Sequence, residues 1–213
     1  TITTDNKGNA KIKLPYGTYT FKQSNTTTGY YKVDDFSITI AEYDERPIYK
    51  LLSNSEIKAK IKIIKKDYDT KENIINSNIK FKIFSVKDNK YISLKVSYPE
   101  NKLTEEFQVD KNGIFITPIP LTYGTYILEE VPTDLDGYIH NKEKITIVVG
   151  DPSTFIKEDN ELYIEVPFYN QRVKGTINIT KYGEEVIYDN NTYEYKKITL
   201  PNVILNLYAK EDI

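Results

Sequence analysis

The chain of 213 residues contains no cysteine, and that single absence removes disulfides, zinc–thiolate sites and thiol nucleophiles together. His140 is the single histidine, which leaves no histidine cluster for a metal and little for a Ser-His-Asp hydrolase. Neither sign of charge dominates: 29 basic and 31 acidic residues give a net charge of −2, with no broad basic footprint for nucleic acid or an anionic membrane. No run of about 18 apolar residues occurs to span a bilayer, and no charged-then-apolar leader opens the chain. Glycine and proline are sparse, at nine each, whereas tyrosine is abundant at 19 and accompanied by many Ile, Val and Thr. That balance predicts strands bounded by short turns, an all-β protein. The chain begins without Met and stops after a strand-like LNLY, so it reads as a piece of a longer polypeptide, with any signal or anchor outside it.

One phrase is written twice. LPYGTY at 14–19 returns as LTYGTY at 121–126. Each copy follows an Asp-x-x-Gly turn, Asp5 to Gly8 and Asp110 to Gly113, and precedes a Gly-Tyr pair, Gly29-Tyr30 and Gly137-Tyr138. Further along, Asn54 recurs as Asn170, and the Lys65 of IKIIK recurs as the Lys181 of INITK, both 116 residues on. A period above 100 residues means domains in series, since each unit is long enough to bury its own core. Residues 1–56 then read as the C-terminal part of one domain, 57–171 as a complete domain and 172–213 as the N-terminal part of a third. No Gly/Ser or Pro linker separates them, so nearly continuous strand is expected at the joints. Within 57–171, alternating segments near 58–66, 78–86, 90–97, 103–109, 113–117, 123–130, 143–149 and 161–169 predict the strands of an antiparallel sandwich. Turns are expected at Asp67–Asn73, Asp88-Asn89, Asp110–Gly113, Pro132–Gly137 and Gly150–Ser153.

Three polar side chains share apolar faces in this pattern. Alternation puts Lys65 on one face with Ile61 and Ile63, Glu130 with Tyr126 and Leu128, and Asn170 with Val166 and Phe168. Strand ends often reach solvent, where Lys snorkels and Glu is hydrated. Three such residues aimed at one core are another matter, because Lys and Glu buried alone each cost several kcal/mol or more to charge. Burial lowers a lysine pKa and raises a glutamate pKa, so both can become neutral together. A neutral Lys65 amine is a nucleophile, and a protonated Glu130 bonded to the Asn170 carbonyl oxygen would polarise that carbon and pass a proton to departing ammonia. The product is an amide between Lys65 and Asn170.

The ordered set K-x-D-x-x-T (Lys65, Asp67, Thr70), D-x-x-G, Y-G-x-Y-x-L-x-E (Tyr123 to Glu130), G-Y and a closing Asn resembles the Cna B-type domains of Gram-positive surface proteins, the SpaA-like pilin group. The resemblance covers the chain in one full and two partial copies. It implies tandem inverse-Ig or prealbumin-like antiparallel β-sandwiches, the complete one locked by an intramolecular isopeptide bond between Lys65 and Asn170 and assisted by Glu130. In the first copy Gln23 stands where Glu belongs, and a carboxamide cannot shuttle the proton, so no bond is expected at Asn54. Lys181 in the third copy finds no partner within these residues. Shaft pilins that polymerise carry a Lys after Tyr-Pro, whereas Tyr98-Pro99 is followed by Glu100.

The expected function is a stalk or spacer of a bacterial wall-anchored adhesin or pilin-like protein, extracellular and needing no cofactor or metal. Its partners are the neighbouring domains of the same chain, with a host protein or glycan reached through other regions. The competing reading is a binding module whose tyrosines contact carbohydrate or protein; tyrosines spread through alternating strands are more simply core and β-formers. A glycosidase using Glu129, Glu130 or the Glu105-Glu106 pair fails on geometry, because adjacent carboxylates on a strand face opposite sides. Asp67, Asp69 and Glu72 lack the spacing of a calcium loop.

Overall fold

A computed structural model describes residues 1–42, 46–75, 78–133 and 137–208. Residues 134–136 of the turn expected at Pro132–Gly137, and the last five of the third segment, lie outside the described residues. The architecture is nearly all β, as the composition requires. Strands β1 (Gly17–Phe21) and β2 (Phe36–Ile40) pair antiparallel as a two-stranded sheet. There follow β3 (Lys58–Asp67), β4 (Lys80–Ser85), β5 (Lys90–Tyr91), β6 (Leu94–Val96), β7 (Lys102–Thr104) and β8 (Phe107–Gln108). Next come β9 (Ile114–Ile116), β10 (Leu121–Thr122), β11 (Gly124–Val131), β12 (Ile145–Val149), β13 (Ile156–Glu158) and β14 (Glu161–Asn170). A last antiparallel hairpin joins β15 (Tyr182–Asp189) to β16 (Thr192–Thr199).

Two five-stranded sheets make the central sandwich. One runs β10-β3-β14-β13, with β9 also on β3; the other runs β12-β11-β4-β5, with β8 also on β4. Every second residue of β3 from Ala59 to Asp67 is buried, and Tyr126, Leu128 and Glu130 are buried on β11. The two inner faces meet through Ile61, Ile63, Ile83, Leu128 and Val166, with the rings of Phe81 and Phe168 edge to face at 5.1 Å. All buried members of this core lie between Ala59 and Phe168. Such close-packed apolar burial is the main favourable term in the fold.

One pairing departs from the antiparallel pattern. β3 and β14, the first and last strands of the sandwich, are neighbours as expected but run parallel, with Lys65 opposite Phe168 and Asp67 opposite Asn170. A parallel pair needs a long crossover, and here the rest of the sandwich supplies it. The short edge strand β13 was not expected, because all three of its residues are exposed and carry no apolar alternation.

The repeated words prove to be the same local structures. Tyr19 and Tyr126 each donate a hydroxyl hydrogen bond to the carbonyl four residues earlier, on Pro15 and Thr122, at 3.0 and 2.9 Å. Asp5 and Asp110 each accept two backbone N–H groups within their turns. Each Gly-Tyr pair bridges to the segment that follows the copy's Asn: Tyr30 to Glu56, and Tyr138 to Arg172. INITK at 177–181 is not a strand, and its residues are exposed. A lone extended segment has no neighbour for its N–H and C=O groups.

Gly113 is the one glycine whose replacement the surroundings forbid outright. Its φ is +74°, and a Cβ there would lie 2.4 Å from the Ile74 carbonyl oxygen, while its own carbonyl accepts the Lys65 N–H at 2.9 Å. Gly113→Ala is expected to lower unfolding free energy by about 2 kcal/mol or more, since it adds a left-handed backbone cost to a clash with main chain. A urea denaturation midpoint unchanged from wild type would contradict this reading of the turn.

Candidate functional site

The two sheets bring Lys65, Glu130 and Asn170 together at one end of the core. Lys65 comes from β3 and Asn170 from its parallel neighbour β14, while Glu130 comes across the core from β11 in the other sheet. All three are buried, with Lys65 at 0% exposure. Lys65 Nζ lies 2.7 Å from Glu130 Oε1 and donates to Asn170 Oδ1. Asn170 Nδ2 lies 3.2 and 3.1 Å from the two Glu130 oxygens. The carboxamide therefore points its NH₂ at Glu130 and its oxygen at Lys65. That is the reverse of the orientation expected from sequence; a half-turn of the amide group exchanges the two.

The walls of this site are aromatic. The Lys65 ammonium sits over the Phe168 ring at 4.4 Å and 5.7 Å from the Phe81 centroid. Burial lowers the Lys65 pKa from 10.5 to about 8, against the charge and hydrogen bond of Glu130, which raise it. Glu130 is held from outside by a main-chain donor, the N–H of Asn141 at 3.0 Å from Oε2. His140 Nε2 is 3.2 Å from the Glu130 carbonyl oxygen, and the Asn141 side chain donates to the Tyr169 carbonyl at 2.9 Å. Sequence reasoning missed this strap, since a backbone N–H leaves no mark on residue type. A cleft of about 320 Å³ lined by Tyr68, His140, Asn141 and Tyr169 lies beside it.

The remaining candidates separate cleanly. Glu129 faces outward, accepting from Tyr91 and pairing with Lys144 at 2.6 Å, so it shares no site with Glu130. Asp67 binds Arg172 and Tyr138 through one oxygen and the N–H groups of Asp69 and Thr70 through the other. In the first copy Asn54 and Gln23 do meet: Asn54 Nδ2 donates to Gln23 Oε1 at 2.9 Å, to Thr26 Oγ1 at 3.2 Å and to the Tyr31 carbonyl at 2.6 Å. Gln23 lies two residues beyond the end of β1. Lys181 is exposed.

Residues 59–162 match the family described as SpaA, prealbumin-like fold domain. The Bacillus anthracis TIE protein is similar in structure at 18% identity and a TM-score of 0.55, over 94% of this chain and 38% of that one. GBS52, the minor pilin of Streptococcus agalactiae, matches at 18% identity and a TM-score of 0.42, over 84% and 71% of the two chains. The shaft pilin SpaA of Lactobacillus rhamnosus GG matches at 19% identity and a TM-score of 0.38, over 83% and 71%. No curated protein matches the chain. Among the described residues no helix is long and apolar enough to cross a membrane.

The lowered Lys65 pKa has a measurable sign. In a folded chain with a free Lys65 the amine loses its proton near 8, whereas the unfolded chain keeps it to about 10.5. Between these values the unfolded state binds more protons, so stability rises with pH as the cost of a buried charge is relieved. Asn170→Ala, which leaves Lys65 unacylated, should therefore gain stability from pH 8 to 10.5 relative to the same chain carrying Lys65→Met. Parallel denaturation curves for the two variants across that window would show that Lys65 titrates normally.

Proposed function

We propose that this chain, whose residues 59–162 match the SpaA prealbumin-like fold domain, is a stalk segment of a Gram-positive surface protein, stiffened by a self-formed isopeptide bond between Lys65 and Asn170. The observation that carries the reading is the buried contact of an amine, a carboxyl and a carboxamide, with Lys65 Nζ 2.7 Å from Glu130 and hydrogen-bonded to Asn170. One proton moving along the Lys65–Glu130 contact leaves a free amine and a carboxylic acid. The amine adds to Asn170 Cγ, and with the amide turned its oxygen accepts from protonated Glu130. The Lys65 nitrogen gives up a proton, relayed through Glu130 to the departing NH₂, as the old C–N bond of Asn170 breaks and ammonia leaves. The balance is one amide formed, one amide broken, one ammonia released and one proton left on Glu130. It is a single event per chain, with no turnover.

The placement suits a load-bearing role. β3 and β14 run parallel, so the start of β3 and the end of β14 lie at opposite ends of the pair. A pull on the chain enters along β3, crosses from Lys65 to Asn170 and leaves, bypassing the loop between two residues that stand 105 positions apart. Closing a loop of that length restricts the unfolded chain by about 4 to 5 kcal/mol, if disulfide loop entropy is a guide. We read residues 57–171 as the complete unit, 1–56 and 172–213 as parts of its neighbours, and the setting as extracellular. The half-buried apolar row Tyr19, Phe21, Phe36 and Ile38, on a sheet of two strands among the described residues, supports this.

Intact-mass spectrometry tests the proposal directly. The wild-type chain should be lighter than its sequence by one ammonia, not two, since Gln23 replaces the acid in the first copy. Lys65→Ala, Asn170→Ala and Glu130→Gln should each show the full mass, and Glu130→Gln should lose about 4 to 5 kcal/mol of unfolding free energy while keeping its far-UV spectrum. A fully folded wild type at its full mass would reduce the three residues to a hydrogen-bonded network.

A further inference from the structure

Alternating apolar residues cannot fix the alignment of β14 on β3 unaided. A slip of one residue turns the inner face outward and is strongly disfavoured, but a slip of two restores the alternation. Such a slip would carry Asn170 roughly 7 Å along the strand, out of reach of Lys65. The chemistry proposed above therefore needs a feature that separates the correct register from its two-residue neighbour.

We infer that Asp67, Arg172 and Tyr138 form a register lock, with Arg172 the positioning residue that delivers Asn170 to Lys65; the inference rests on the Lys65–Asn170 reading. Asp67 lies two residues beyond Lys65 and Arg172 two beyond Asn170, so both pairs span the same 105 residues. The ion pair is thus one step along the same diagonal as the reacting pair. Arg172 Nε donates to Asp67 Oδ2 at 2.6 Å, and the Tyr138 hydroxyl donates to the same oxygen at 3.0 Å. The other oxygen accepts from the N–H groups of Asp69 and Thr70 at 2.8 and 3.0 Å. Four donors fix the carboxylate in place, and Arg172 holds its pKa well below the usual carboxylate range.

Main-chain bonds tie the same point together. Tyr68 N–H donates to the Asn170 carbonyl at 2.9 Å, Ile139 N–H to Gln171 at 2.8 Å and Val173 N–H to Gly137 at 2.7 Å. The segment leaving β14 is thereby clamped between the turn after β3 and the Gly-Tyr pair. The first copy has the same main-chain clamp, Ile57 N–H to Gly29 and Tyr31 N–H to Ser55, but Glu56 stands where Arg172 does. That copy also carries Gln23 in place of the acid, so the basic residue accompanies the reactive site and is missing where the site is inert.

The test uses Arg172→Gln and Arg172→Lys in the full chain, with two readouts. Intact mass followed over time reports the loss of ammonia; Arg172→Gln should slow it by tenfold to a hundredfold, on the order of what a small misplacement costs a reacting pair, and Arg172→Lys should recover much of the rate. Amide exchange of Tyr68, read in a Glu130→Gln background where no crosslink forms, should be faster with Arg172→Gln and near normal with Arg172→Lys. Wild-type ammonia loss in Arg172→Gln, or unchanged Tyr68 protection, overturns the lock. A wild-type chain that never loses ammonia overturns the crosslink itself, and the exchange measurement then decides the lock alone.

Discussion

Everything in the central sandwich is arranged around one buried cation. Lys65 has no exposure and sits against two phenylalanine rings, a place where a charged amine without a partner would be untenable. Glu130 supplies the opposite charge and Asn170 the hydrogen-bond acceptor, and neither comes from Lys65's own strand. The neighbouring strand β14 and the opposite sheet must both be in place before the lysine is satisfied. The site is therefore a report on completed folding: its three groups meet only when both sheets have closed.

A buried ion pair is by itself a poor reason for stability. Replacing such a pair with apolar residues of similar volume is often neutral or favourable, whereas removing one partner costs about 3 to 5 kcal/mol. The inner faces of β3, β11 and β14 are otherwise apolar until the end where Lys65, Asp67, Glu130 and Asn170 gather. Four polar side chains there lower the apolar content of a small core. The covalent product proposed here would account for what non-covalent stabilisation does not, since acylation would remove the lysine charge permanently and turn the least comfortable group of the core into a neutral amide.

Sequence legibility followed alternation. The long strands β3, β11 and β14, with one face buried, were plain from period-two patterning, and so were the three residues at their inward ends. Short edge pieces such as β13 were not, because exposed residues leave no pattern. The parallel sense of β3 and β14 was equally hidden, since alternation is the same whichever way a strand runs. The orientation of the Asn170 amide and the Asn141 N–H on Glu130 depend on main-chain position rather than on residue type. INITK looked like a strand for the right reason, its alternation, yet it pairs only at its end, where the Lys181 carbonyl accepts the Leu200 N–H, and forms no strand among the described residues.

The first copy separates scaffold from chemistry. Asn54 is half-buried, and its NH₂ is satisfied by three neutral oxygens, on Gln23, Thr26 and Tyr31. No charge is needed to hold it. A closing asparagine can thus serve as a hydrogen-bonding brace held by neutral groups alone, so the asparagine by itself says nothing about crosslinking. On the proposed chemistry the carboxyl at the position of Glu130 is the deciding group, because Gln23 reproduces the hydrogen bond but could not transfer the proton. Asn170 braces the inner face as Asn54 does, and beside Glu130 and Lys65 it also meets, on our proposal, an acid that would activate it and an amine that would take its carbon.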